Sequence, residues 1–391
     1  MLISLQGKNH PHILETMTEL LSRFPVRILE MYHQDLYHSL NLHILIDQGS
    51  NGSFEHLESE IQKIADHFGL NLFFNRDITL LTAEDPSNRY ILTMLSRSFS
   101  SEALSQLFHY LNDKRLKVTG ICPLDYQNLH VFDVKITSDQ PIDRQNFIGG
   151  LLDFKTQYHL DLAIQPDTLL RKNKRLIVFD ADMTFIQCEV INELSKLVGK
   201  VREVEDITHR AMNGELDFEQ SLRQRVAMLK GLSVERIEQL IPDIPYTPGV
   251  ERLVRILKKL GYKIAIVSGG FSLFIDHIRQ KFKLDYGFAN TLQIRDGVLT
   301  GELDNDIVDA RRKASVLKEI AQSENIATEQ IIAVGDGAND LEMLACAGLG
   351  IAFNAKRFLQ ERATGSLSQP NLDALLYFLG MSRQDLEFLS H

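Results

Sequence analysis

Asp180 and Asp182 stand two positions apart at the end of the apolar run 176–179, and Thr184 follows two positions later. In an extended chain, residues i and i+2 point to the same side. One carboxylate can therefore attack a phosphorus atom while its neighbour handles the proton of the leaving oxygen, as acyl-phosphate chemistry requires. Asp-x-Asp-x-Thr also opens ordinary loops, so its meaning rests on three later segments. Residues 264–270 read as a buried strand ending in Ser268, Gly269 and Gly270. Residues 311–314 place Lys313 at the start of a helical pattern, where a lone lysine is ordinarily a solvated surface group. Residues 331–340 form a third apolar strand that runs into a Gly-rich acidic loop carrying Asp336, Asn339 and Asp340.

These residues need a frame, and the C-terminal part of the chain supplies one by alternating strands with helices, the pattern of a parallel sheet covered on both faces. Strands are predicted at 176–179, 263–267, 331–334 and 350–353, and helices at 249–260, 271–282 and 310–323. Ligands of such open sheets sit beyond the carboxyl ends of the strands, where every residue named above falls. Residues 190–246 are polar and helical in period, and they read as a cap over that mouth. Segments 288–294 and 298–303 read as a strand pair joined by the turn Arg295, Asp296 and Gly297.

The first 165 or so residues read as a tandem repeat of strand-helix-strand-strand-helix-strand. Copy one has strands at 2–6, 26–32, 40–46 and 70–74 with helices at 12–22 and 54–67; copy two has strands at 90–95, 117–123, 129–136 and 160–164 with helices at 101–111 and 144–155. This order builds a ferredoxin-like sandwich. A linker at 83–88 separates the copies, and 171–175 reads as a second, solvated linker. The domains expected are 1–82, 89–166 and 174–391.

At 391 residues with 44% hydrophobic content, the chain can bury a sizeable core in two or three domains. Forty-two basic against fifty-two acidic residues give a net charge of −10, which argues against nucleic-acid binding. No stretch approaches a membrane span and the N-terminus lacks the features of a signal peptide, so a soluble cytoplasmic protein is expected. Cys122, Cys188 and Cys346 are odd in number and widely spaced, and three small buried side chains are expected there.

The four segments, in this order, resemble the motifs of the haloacid dehalogenase superfamily, and the words at 211–226 and 267–271 resemble the phosphoserine phosphatases in particular, over roughly 175–378. The resemblance implies a doubly wound α/β core with a helical cap, and Mg²⁺-dependent hydrolysis of O-phospho-L-serine to L-serine and phosphate, the last step of serine biosynthesis. It implies Asp180 as the nucleophile and Asp182 as general acid, then base. Mg²⁺ would be held by Asp180, the main-chain carbonyl of Asp182 and Asp336, with Asp340 orienting a water on the metal or capping the following helix. Ser268, Gly269 and Lys313 would grip the phosphoryl group, with Asn339 nearby. Glu189 would pair the substrate ammonium and Arg225 its carboxylate, the alternative being a salt bridge between ordinary surface groups. Met212 and Phe218 would close an apolar lid, or simply pack the cap.

Transfer of the phosphoryl group to another alcohol such as homoserine is the rival within enzymes. The rival outside them is an amino-acid sensor with a vestigial phosphatase domain, which keeping all of Asp180, Asp182, Lys313 and Asp336 argues against. Met183 stands where the family commonly has serine. The N-terminal repeats resemble ACT domains, which implies a homodimer with L-serine as effector; Asn9 and His12 depart from the aspartate and glycine usual there, and copy two lacks the glycine.

Overall fold

The computed structural model describes residues 1–47, 54–76, 88–127, 129–304 and 307–390, the side chain of Met212 excepted. The chain forms two compact units, Met1–Asp85 and Pro86–His391. Residues 83–87 of the expected first linker lie outside the described residues.

The first unit runs β1 (Leu2–Lys8), α1 (Ile13–Ser22), β2 (Arg27–Leu36), β3 (Ser39–Asp47), α2 (Glu55–Phe68) and β4 (Asn71–Asn75). Its antiparallel sheet has the order β2-β3-β1-β4, and alternate residues of β1 and β3 (Ile3, Leu5, Leu40, Leu42, Ile44) are buried under the two helices. The period of two in these strands and of 3.6 in the helices dictates this single core. Gly69, in the left-handed region at φ 62°, stops α2.

The second unit begins with the second copy: β5 (Asn88–Ser96), α3 (Ser101–Asp113), β6 (Lys117–Tyr126), β7 (His130–Ser138), α4 (Arg144–Gly150), α5 (Leu152–Tyr158) and β8 (Asp161–Pro166). The single helix expected at 144–155 is broken at Leu151 into α4 and α5, just after the Gly149-Gly150 pair, a weak spot for a helix. The short α6 (Leu169–Lys172) then leads to β9 (Leu176–Phe179). The cap follows, as α7 (Val190–Val198), α8 (Val201–Met212), α9 (Phe218–Ala227) and α10 (Val234–Leu240). A bridge between Ile186 and Tyr246 ties its two ends together.

The chain then lays down α11 (Val250–Lys259), β10 (Lys263–Phe271), α12 (Ser272–Phe282), β11 (Tyr286–Asn290), β12 (Leu292–Arg295), β13 (Val298–Leu303), α13 (Ala310–Ser323), β14 (Ile331–Gly335), α14 (Leu341–Ala345), β15 (Leu349–Phe353), α15 (Arg357–Gln360), β16 (Gly365–Leu367), α16 (Leu375–Phe378) and α17 (Arg383–Ser390). One sheet of ten strands runs through the unit in the order β11-β10-β9-β14-β15-β16-β8-β5-β7-β6. From β11 to β16 the pairs are parallel; from β16 onward they are antiparallel. The second copy thus has the strand order of the first, but its sheet continues into the parallel one through β8 and β16.

Three further sequence expectations change. The segment 288–294 is not one strand: β11 joins the edge of the large sheet, and only β12 pairs with β13. That hairpin docks on the cap, where Leu299 accepts from the main-chain N–H of Gly231 at 2.9 Å and donates its own N–H to the carbonyl of Leu232 at 2.9 Å. The linker at 171–175 is only partly solvated, because Arg171 and Lys174 are buried, Arg171 against Asp133 at 2.8 Å and Lys174 on the carbonyl of Glu329, while residues 172, 173 and 175 are exposed. The cysteines are not uniformly buried either, since Cys122 is exposed on β6 and Cys188 and Cys346 are half-buried.

Candidate active site

β9 lies between β10 and β14 in parallel register, with Phe179 level with Ile266 and Val334. Equal register brings Asp180, Ser268 and Asp336 to one edge of the sheet, although β10 itself runs on to Phe271. The main-chain N–H of Asp180 still donates to Val334 at 2.9 Å. From Ala181 to Phe185 the chain makes one wide turn, with Met183 in the left-handed region at φ 57°. Asp182 therefore reaches the site from a turn and not from an extended strand, contrary to the simple spacing argument. Met183 is 44% exposed and does not line the cavity, so its departure from serine leaves the site walls unaffected.

Asp309 caps α13 through the N–H of Arg312 at 2.8 Å, which fixes Lys313 in the first turn of that helix, fully buried. Its ammonium donates to Asp180 Oδ1 at 2.6 Å and to Asp340 Oδ1 at 2.8 Å. The surface reading of Lys313 is thereby excluded. Burial alone opposes its charge, but Asp180 and Asp340 outweigh burial and hold the ammonium protonated. The other oxygen of Asp340 accepts from the N–H of Gly337 at 3.0 Å, and Asp340 does not cap α14 with its side chain. A Cβ on Gly335 would run into the Asp340 carboxylate, so the glycine is what lets this residue fold under the loop.

Carboxylate oxygens of Asp180, Asp336 and Asp340 come within 4.8 Å of one another. Burial, then the neighbouring Asp340, pushes Asp336 up to about 7. Burial and Asp340 also raise Asp180 well above the usual carboxylate range, against the pull of Lys313. Three crowded carboxyl groups with one ammonium have surplus negative charge, and an all-oxygen set of this kind fits a hard divalent cation. Binding one would depress these values and release protons.

Asp182 accepts from the N–H of Val190 at 3.3 Å through one oxygen, and its other oxygen is buried with no partner among the described residues. Burial, reinforced by Glu189, pushes it up to about 8, which favours its protonated form. Ser268 is buried and accepts from the N–H of Gly270 at 2.9 Å.

Above these groups lies a cavity of about 420 Å³, closed on its far side by α8 and α9. Asp180, Asp182, Ser268, Gly269, Asp336 and Asn339 line its floor, and Glu189, Phe218 and Arg225 its cap side. Phe218 sits so close to Gly269 that a Cβ there would meet its ring at 3.2 Å, and the same side chain packs on the main core. Met212 ends α8, and its side chain lies outside the described residues. Glu189 is exposed, and Arg225 is half-buried with Nε on the carbonyl of Ser221 at 3.4 Å. Among the described residues neither makes an ion pair, so the ordinary salt bridge weighed for them is not formed.

One contributor had no sequence signal. Asn290 is completely buried at the end of β11, donates to the carbonyl of Gly269 at 2.8 Å and accepts from the N–H of Val308 at 2.8 Å. It ties the glycine loop to the segment leading into the Lys313 helix. An Asn in a short strand assigned to a hairpin gives no hint of this, because the two segments it joins are distant in sequence.

Residues 177–345 match the haloacid dehalogenase-like hydrolases, and residues 1–75 match the ACT domain. The phosphoserine phosphatase of Archaeoglobus fulgidus is 50% identical over 216 residues, 55% of this chain and 63% of that protein. That of Streptomyces coelicolor is 32% identical over 390 residues, 99% of this chain and 93% of that protein. A solved structure described as a phospho-aspartyl intermediate analogue of phosphoserine phosphatase is 44% identical and matches with a TM-score of 0.50, covering 53% of this chain and 99% of its own. The chain belongs to the haloacid dehalogenase-like hydrolases and, within them, to the phosphoserine phosphatase family with an N-terminal ACT domain.

Proposed function

We propose that the protein is a phosphoserine phosphatase that hydrolyses O-phospho-L-serine through an aspartyl-phosphate, with the residues above in the following roles. The observation that carries this reading is the charge layout around one cavity: Asp180 on its floor, paired from below with the buried Lys313, and from the cap a cation, Arg225, and an anion, Glu189, neither of which makes an ion pair among the described residues. A phosphomonoester bearing both a carboxylate and an ammonium complements that layout.

Asp180 attacks phosphorus and the bond to the serine oxygen breaks. Asp182, whose protonated form burial favours, gives its proton to that oxygen. The resulting Asp182 carboxylate then takes a proton from water as the water displaces Asp180 from phosphorus, releasing phosphate and restoring both groups. Lys313, Ser268, the main-chain N–H groups around Gly269 and the amide of Asn339 hold the phosphoryl oxygens. Phe218, with Met212, excludes bulk water. Asp180, the carbonyl of Asp182 and Asp336, with Asp340 beside them, would hold a Mg²⁺ ion, which would supply the positive charge that lets a carboxylate approach a phosphate dianion.

The exposed strand β2 carries Ile28, Met31, Tyr32 and Leu36 at 40–56% exposure, which supports a homodimer through the ACT-containing half, and the ACT match supports a small-molecule effector, which we read as L-serine. Three free cysteines suit the cytoplasm, and among the described residues no helix is long and apolar enough to cross a membrane.

The test is phosphate release from phosphoserine, with and without EDTA, by the native protein and by Asp180→Asn. Asp180→Asn removes the attacking oxygen and lowers turnover by at least about 10⁴-fold, the scale on which losing a covalent catalytic residue acts. Multiple turnover by that variant above a deamidation control, or full activity in EDTA, defeats the reading.

A further inference from the structure

We propose that Ser221 is a specificity-determining residue: its hydroxyl donates a hydrogen bond to the substrate carboxylate, beside Arg225. This rests on the phosphoserine reading and extends it to a residue with no assigned role.

Ser221 lies in the first turn of α9, is 2% exposed and lines the cavity, yet among the described residues its Oγ has no hydrogen-bond partner. A buried hydroxyl left unsatisfied is unfavourable by roughly 1–3 kcal/mol. A serine inside a helix normally escapes this by bonding the carbonyl one turn back. Thr208 does so on α8, with Oγ1 on the carbonyl of Val204 at 2.8 Å. Ser221 has the same opportunity and does not take it, so its hydroxyl is free to meet a group that enters the cavity.

The neighbours decide which group that is. Ser221 and Arg225 are four residues apart and share a face of α9. Arg225 Nε already rests on the Ser221 carbonyl at 3.4 Å, which holds the guanidinium against this turn. Burial disfavours the Arg225 charge, and Glu189 and Asp182 only partly compensate. An ammonium would be repelled from that spot, whereas a carboxylate is drawn to it. A carboxylate has two oxygens and about four acceptor sites, more than one guanidinium edge fills. A hydroxyl donor alongside completes the set. The contact lies at the amino-acid end of the substrate, away from phosphorus, so it acts on binding more than on the chemical step.

The experiment compares Ser221→Ala with the native enzyme on O-phosphoserine and on phosphoethanolamine, which keeps the phosphate and the ammonium but lacks the carboxylate. Ser221→Ala raises KM for phosphoserine about 10- to 100-fold, the scale of a hydrogen bond to a charged group, while kcat changes little. The preference in kcat/KM for phosphoserine over phosphoethanolamine falls by a similar factor. The melting temperature stays level or rises, since alanine suits a helix and an unsatisfied hydroxyl is removed. Ser221→Thr, which restores a hydroxyl, recovers part of the preference.

An equal loss on both substrates, or a lowered melting temperature accounting for the loss, assigns Ser221 a structural part and overturns the proposal. An unaltered preference overturns it too. If the native enzyme itself shows no preference for phosphoserine, the phosphoserine reading fails instead, which keeps the two failures apart.

Discussion

The two N-terminal copies share a strand order but not an environment. In copy one, β1 alternates buried and exposed residues, and β4 is never fully buried. In copy two, β5 is buried from Tyr90 to Ser96 and β8 from Asp161 to Gln165. Both faces of β5 and β8 are covered, because Leu95, Val131 and Ala163 belong to the same apolar core as Phe378 and Leu367 of the catalytic part, while the edge strand β6 stays largely exposed. Polar groups reinforce the seam. Arg171 pairs with Asp133 and bonds Thr93, Gln165 donates to the carbonyl of Phe378 at 2.7 Å, and Lys155 donates to Gln360 and Ser368 at 3.0 and 3.2 Å. One topology therefore serves in one case as a unit with its own core and in the other as an extension of the catalytic sheet.

Cutting the chain gives the largest test of that contrast. A chain beginning at Asn88 keeps the fold and the phosphatase activity, because the second unit retains its sheet and core. A chain beginning at Lys174 loses β8, bares the edge of β16 and exposes the apolar face beneath, and it forms aggregated or molten protein by size-exclusion chromatography and near-UV circular dichroism. Equal behaviour of the two truncations would mean the seam contributes no stability.

Arg171→Ala leaves Asp133 buried and unpaired at 2.8 Å from where its partner stood, and denaturant unfolding shows a loss of about 3–5 kcal/mol. Replacing both residues by apolar ones of similar size recovers most of it, which separates lost pairing from lost packing.

The seam also makes stability depend on pH. Burial, with Arg144 and Arg171 nearby, pushes Lys174 down to about 8. Between pH 8 and the ordinary lysine value, the unfolded chain holds a proton that the folded chain has released. More protons bound in the unfolded state means stability rises with pH across that window, and below about pH 8 the buried ammonium is a standing penalty. Lys174→Met flattens the rise, measured as melting temperature from pH 7.5 to 10.

Copy one supplies the smallest effect. Arg23 and Glu19 pair at 2.6 Å, but both are about two-thirds exposed, so Arg23→Ala changes stability by no more than about 0.5 kcal/mol. A loss comparable to that of Arg171→Ala would erase the distinction between the two copies.

Much of this was legible in the chain. The apolar runs ending in Asp180, Ser268 and Asp336 determined three strands and which end of them carries the chemistry, because buried parallel strands need continuous apolar residues and leave polar groups to their tips. Alternation in copy one determined a sheet with one covered face. The nearly unbroken run from Tyr90 to Leu95 was the available sign that copy two is covered on both sides, and its meaning depended on a partner that local periodicity does not name.

Tertiary structure alone decided the rest. It buried Lys313 between two carboxylates, made Arg171 and Lys174 part of a core instead of a solvated linker, and set Asn290 between two loops. Each of these outcomes depends on groups far apart in sequence coming within hydrogen-bond distance. Burial and charge then redefine what a side chain is, and residue type and spacing fix neither until the chain has folded.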